Sequence, residues 1–113
     1  RNRGKGPVVV VITDDADLSD EAEELLEQSD CVVMVTDDPR AGRLLFAEVG
    51  DKLALLVLDL DIGEQHAGRD LLIAIRELFP ELPVVLLSSS PIDSSTQKLV
   101  GAGPGRALRK PFD

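Results

Sequence analysis

Asp59 closes the run Leu53-Ala54-Leu55-Leu56-Val57-Leu58, which is apolar at every position. Such a run suits a parallel strand buried on both faces. A carboxylate at its carboxyl end points to the place where open α/β sheets hold their ligands. Comparable groups follow other apolar runs: Asp14-Asp15 early in the chain, Ser88 later, and Lys110-Pro111 last. Carboxylates that share one crevice repel each other unless a cation neutralises them. Magnesium suits that task, because it takes few carboxylates and keeps several waters. Asp14 or Asp15, together with Asp59, could supply the protein oxygens. With phosphoryl charge screened in this way, Asp59 could attack phosphorus and become an acyl phosphate. Ser88 could then donate to one phosphoryl oxygen while Lys110 pairs with another.

Each of these groups has a plainer reading when taken singly. An aspartate pair after a strand is ordinary turn chemistry, and Ser88-Ser89-Ser90 reads as a loop that caps the next helix. Their recurrence at successive strand ends is what favours a shared site. His66 is the sole histidine and stands in a polar loop, so a solvated ring is expected. Cys31 begins an apolar run and is expected as a packed thiol. The acidic stretch Asp20 to Glu27 reads as a solvated helix face.

The elements that must position these groups alternate along the chain. Arg1 to Gly6 reads as a tail, and Pro7 to Ile12 as a central, β-branched strand. A helix is expected from about Ser19 to Gln28, with Ser19 as its cap and Asp20, Glu21 and Glu23 at the positive end of its dipole. Cys31 to Val35 is the second strand, and Asp38-Pro39 opens the second helix as cap and first-turn proline. The Leu53 strand follows, then a helix from about Arg69 to Phe79 and a strand from Val84 to Leu87. A weaker helical segment, roughly Asp93 to Val100, precedes a glycine-rich loop and a short strand from Arg106 to Arg109. Five strands alternating with four helices predict an α/β fold with a parallel sheet. The flavodoxin-like, doubly wound order 2-1-3-4-5 is the simplest topology under the handedness rules. It gathers Asp14, Asp15 and Asp59 in one crevice, with Ser88 and Lys110 alongside.

Composition narrows the function. The 113 residues suffice for one domain with a proper core. Three Phe and no Trp or Tyr leave no stacking platform for bases. A net charge of −9 argues against direct binding to nucleic acid or to anionic membranes. A single cysteine and the lack of any membrane-length apolar run or leader lead us to expect a cytoplasmic domain.

These motifs, in this order, resemble the receiver domain of two-component response regulators over residues 7–113. The family's acid pair matches Thr13-Asp14-Asp15, and its phospho-acceptor matches Asp59 in Val57-Leu58-Asp59-Leu60. Its Thr/Ser switch residue matches Ser88, and its lysine matches Lys110 in Lys110-Pro111-Phe112. The resemblance implies phosphorylation of Asp59 by a sensor histidine kinase or phosphotransfer protein, with Mg²⁺ bound. It also implies that the backbone carbonyl of Asp61 completes the metal shell, and that the partners include an output domain or a second copy. The domain is expected to be a signalling switch, an enzyme only toward its own phosphorylation and dephosphorylation.

The chain also departs from the family pattern. Ala107 stands where an aromatic is usual, and Gly63 where a proline is common. Asp61 adds a carboxylate beside the crevice. The sequence stops just after Lys110-Pro111-Phe112-Asp113, so the usual fifth helix is expected to be missing or not included, with an apolar sheet face left exposed. Two alternatives remain in view. One is a haloacid-dehalogenase-type phosphohydrolase with Asp59 as nucleophile and Asp61 as acid, and the other is a pseudo-receiver that signals without phosphate.

Overall fold

The computed structural model describes residues 6–63, 66–101 and 105–109. Among them, five strands alternate with four α-helices: β1 (Val8–Ile12), α1 (Ala16–Glu27), β2 (Val32–Thr36), α2 (Pro39–Val49), β3 (Leu53–Asp59), α3 (Ala67–Leu78), β4 (Val84–Ser88), α4 (Ser94–Gly101) and β5 (Gly105–Arg109). All strand pairs are parallel, in the order β2-β1-β3-β4-β5. This is the flavodoxin-like arrangement that the strand pattern predicts. Arg1 to Lys5 and Lys110 to Asp113 fall outside the described residues, and with them the expected lysine, most of the tail and the question of a fifth helix.

Alternation along the strands splits the core. Val8, Val10, Ile12, Leu56, Leu58, Val84 and Leu86 join Phe46, Leu71, Leu72 and Ile75 in one cluster on the side of α2 and α3. On the opposite face Val9 and Val11 are buried, whereas Leu55, Val57 and Val85 are only half-buried. Helix α1 packs against β2 and buries none of its residues fully. It is the least anchored of the helices, with Leu18, Ala22 and Leu26 half-buried and Leu25 exposed.

Helix starts follow side-chain caps. Asp38 accepts from the Arg40 N–H at 2.9 Å, with Pro39 in the first turn, as expected for α2. The first helix departs from expectation. It begins at Ala16 rather than near Ser19, because the Asp15 carboxylate accepts from both Asp17 and Leu18 N–H groups. Ser19 lies inside the helix, where its hydroxyl donates back to the Ala16 carbonyl at 3.1 Å. An aspartate three residues past the strand caps as well as a serine does, and it reaches the first free N–H groups sooner.

Two arginines on α3 hold α4. Arg69 donates to the hydroxyls of Thr96 and Ser95 in the first turn of α4. Arg76 is buried and donates to the carbonyls of Leu99 and Val100 at the other end, and to those of Pro80 and Leu82. Burial lowers the guanidinium's pKa, yet an arginine remains charged at any ordinary pH.

Asp93 precedes α4 and accepts from the Thr96 N–H at 2.8 Å and from the Ser95 hydroxyl at 2.9 Å. The bond from the Thr96 backbone is the main reason its carboxyl is held down to about 2. A carboxyl whose folded pKa lies below its unfolded value stabilises the fold above the unfolded value, about 4. That contribution fades as pH falls from there through about 2. Amide exchange at Thr96 and Gln97 should therefore accelerate over this acid range, and Asp93→Asn should flatten the profile.

Candidate functional site

The site sits where three neighbouring strands end. β1 and β3 pair with Ile12 opposite Leu58, which sets the next residues, Thr13 and Asp59, side by side. β3 and β4 pair with Asp59 opposite Leu87, so Ser88 follows immediately. Asp59 is fully buried, at 0% exposure, and Thr13 and Ser88 are nearly so. A buried carboxylate needs strong partners to remain charged. Asp59 Oδ2 accepts from the Thr13 hydroxyl at 2.8 Å, and Oδ1 accepts from the Asp61 N–H at 2.9 Å. Helix α3 begins against the same strand end. A Cβ on Gly68 would lie 3.1 Å from the Leu60 Cα and 3.4 Å from the Asp59 carbonyl oxygen, so a bulkier residue would press the helix away. Gly63, in the intervening loop, has φ 70°. That left-handed conformation suits glycine and rules out the proline common at this position in the family, whose ring fixes φ near −65°.

The other predicted groups are less uniform in their placement. Asp61 is exposed, and its Oδ2 accepts from the Ser89 N–H at 3.0 Å, so a carboxylate bridges the ends of β3 and β4. The Ser88 hydroxyl turns into its own loop, donating to the Ser90 carbonyl at 2.8 Å and accepting from the Ser90 N–H at 3.1 Å. Asp14 is exposed and lines an open cleft of about 370 Å³ at the ends of β1 and β2, with Thr13, Ser19, Thr36 and Asp37. Asp15, which the sequence pairs with Asp14, commits Oδ1 to the cap of α1. Ala107 is exposed on β5 and pairs with Leu86. Lys110 is outside the described residues.

Thr13 is the contributor that sequence reasoning overlooked. Its position just before an aspartate pair draws the eye to the carboxylates, although the strand register alone places it beside Asp59.

Among the described residues, no three His, Cys, Asp or Glu side chains are grouped to hold a metal ion. Magnesium does not require three, because carbonyl oxygen and water complete its shell around one or two carboxylates. Asp59 and Asp14 stand at or just past the ends of the paired strands β3 and β1.

The model of the response regulator receiver domain matches residues 9–113, nearly the whole chain. The chain belongs to this family. No curated protein sequence matches it. Solved structures repeat the fold at low identity. The non-phosphorylated HemR receiver domain from Leptospira biflexa is 24% identical with a TM-score of 0.79, covering 95% of this chain and 84% of that one. A response regulator from Thermotoga maritima is 23% identical with a TM-score of 0.72, covering 96% and 87%. The chemotaxis protein CheY4 of Vibrio cholerae is 16% identical with a TM-score of 0.75, covering 96% and 89%. Receiver domains act as signalling switches rather than as turnover enzymes, so the family match favours a switch over the phosphohydrolase alternative. Among the described residues, no helix is long and apolar enough to cross a membrane.

Proposed function

We propose that this receiver domain accepts a phosphoryl group on Asp59 and converts the added charge into a change of partner binding. The observation that carries the reading is the fully buried Asp59 carboxylate, held at the end of a central strand by donors that include the Thr13 hydroxyl and the Asp61 N–H. The donor is a phosphohistidine of a sensor histidine kinase or of a phosphotransfer protein. An Asp59 oxygen forms the new O–P bond as the P–N bond breaks, and the imidazole leaves with the electron pair and takes up a proton. Ser88 reaches a phosphoryl oxygen by giving up its bond to the Ser90 carbonyl. Lys110 takes the role of counter-charge that the family resemblance assigns to it. Asp14 and Asp59, with the Asp61 carbonyl, would hold Mg²⁺, which when bound supplies positive charge to the phosphoryl oxygens.

The setting is cytoplasmic, and an output domain or a second copy reads the switch. Acidity makes neither nucleic acid nor an anionic membrane a direct target. Incubation with phosphoramidate or acetyl phosphate and Mg²⁺ should add one phosphoryl mass to the intact chain. No gain under conditions where Mg²⁺ is shown to bind would overturn the reading and leave a phosphate-independent receiver in its place.

A further inference from the structure

A short line of hydrogen bonds leaves Asp59 toward β1 and ends on a helix. The buried Thr13 hydroxyl donates to Asp59 Oδ2 at 2.8 Å, and Thr13 Oγ1 itself accepts from the Asp15 N–H at 3.1 Å. The Asp15 side chain then accepts from the N–H groups of Asp17 and Leu18, at 3.0 and 3.2 Å, and so caps α1. One hydroxyl therefore joins the predicted phospho-acceptor to the residue that starts the helix. The Thr13 backbone is pinned separately, its N–H donating to the Thr36 carbonyl at 3.0 Å, so the side chain is the part free to respond.

We propose that Thr13 is a positioning residue that orients the Asp59 carboxylate and couples its charge to the N-terminal cap of α1. The coupling rests on the proposed phosphorylation of Asp59. A hydroxyl has one proton, and the strongest acceptor in reach sets its direction. In the resting protein that acceptor is the Asp59 carboxyl group, and hydrogen bonds to a charged acceptor are about twice as strong as neutral ones. Phosphorylation leaves a neutral acyl group at Asp59 and moves the negative charge to the phosphoryl oxygens. The Thr13 proton follows the charge. A β-branched side chain turns between discrete rotamers, so Oγ1 shifts in a step and its bond to the Asp15 N–H changes with it. Helix α1 is suited to answer, because it buries none of its residues fully and few contacts resist a change at its first turn. This route also has no need of a ring at Ala107.

The test follows amide exchange by NMR before and after treatment with phosphoramidate and Mg²⁺, with intact mass giving the phosphorylated fraction. In the wild type, exchange at the Asp15, Asp17 and Leu18 amides should change about fivefold or more on phosphorylation, the scale of one helix-cap interaction. Thr13→Val keeps the shape and removes the hydroxyl. It should accept phosphate more slowly, and its phosphorylated form should leave those amides unchanged, with Thr13→Ser restoring both effects. Thr13→Ala serves the same purpose if the valine variant does not fold. A wild type that gains mass without moving these amides overturns the coupling alone, as does a valine variant that moves them fully. A wild type that gains no mass removes the coupling together with the phospho-acceptor reading.

Discussion

Replacing Arg76 with leucine should cost about 3 kcal/mol of stability and lower the thermal midpoint by roughly 10–15 °C. The side chain is 6% exposed and donates to four backbone carbonyls, those of Pro80, Leu82, Leu99 and Val100. Leucine fits the apolar neighbourhood but offers no donor. It would strand carbonyls at the end of α4 and in the loop before β4, each costing about 1–3 kcal/mol where water cannot reach. The low end for four carbonyls is about 4 kcal/mol, and water entry at the more accessible ones brings the total to about 3 kcal/mol. Lysine should recover less than half of the loss, because a single ammonium cannot match a planar fork of donors. Urea unfolding of the three proteins, read by far-ultraviolet circular dichroism, checks the order. Exchange protection in α4 should fall first in the leucine variant, since Arg76 holds one end of that helix and Arg69 the other. Equal stability of the leucine variant and the wild type would mean that the buried guanidinium only compensates for its own desolvation.

Arg76 also illustrates where the sequence is readable and where it is not. The strands are legible because β1 is an unbroken apolar run and β3 and β4 are apolar up to their last residues, Asp59 and Ser88, a pattern that few other environments produce. Strand order followed from handedness and connection length, and it correctly brought the ends of β1, β3 and β4 together. Arg76 follows Leu72 by four residues and sits next to Ile75, so it shares the apolar stripe of α3. That spacing hints at burial, but whether carbonyls await the guanidinium depends on how α4 ends, a contact 23 residues away. The start of α1 was misplaced because Asp15 and Ser19 can both cap, and local propensity does not rank them. Choosing between them takes the backbone angles of the turn after β1, where Asp15 is extended at φ −86° and ψ 106°. Thr13 escaped notice for a related reason: a hydroxyl becomes a partner for Asp59 only through the pairing of β1 with β3.

Asp59→Asn should abolish phosphoryl uptake while leaving stability within about 1 kcal/mol of the wild type, the range expected when an isosteric change keeps its partners. The amide has the shape of the carboxylate but lacks its anionic, nucleophilic oxygen. Its two ends must still suit the Thr13 hydroxyl and the Asp61 N–H. The Asp61 N–H can only donate, so the amide oxygen should turn to it, where Asp59 Oδ1 stood. The NH₂ then faces the Thr13 hydroxyl, which can rotate to accept as well as donate. Both of these bonds therefore have a counterpart after the exchange. With phosphoramidate and Mg²⁺, the wild type should gain one phosphoryl mass and the asparagine variant none, under conditions where both unfold at similar urea concentrations. A gain surviving in the variant would move the acceptor to another residue. A large loss of stability would assign the buried carboxylate to holding β1 and β3 together, and the loss of uptake could not then be read as chemistry. The expected pairing of intact fold with lost uptake is the result that separates a nucleophile from a structural anion.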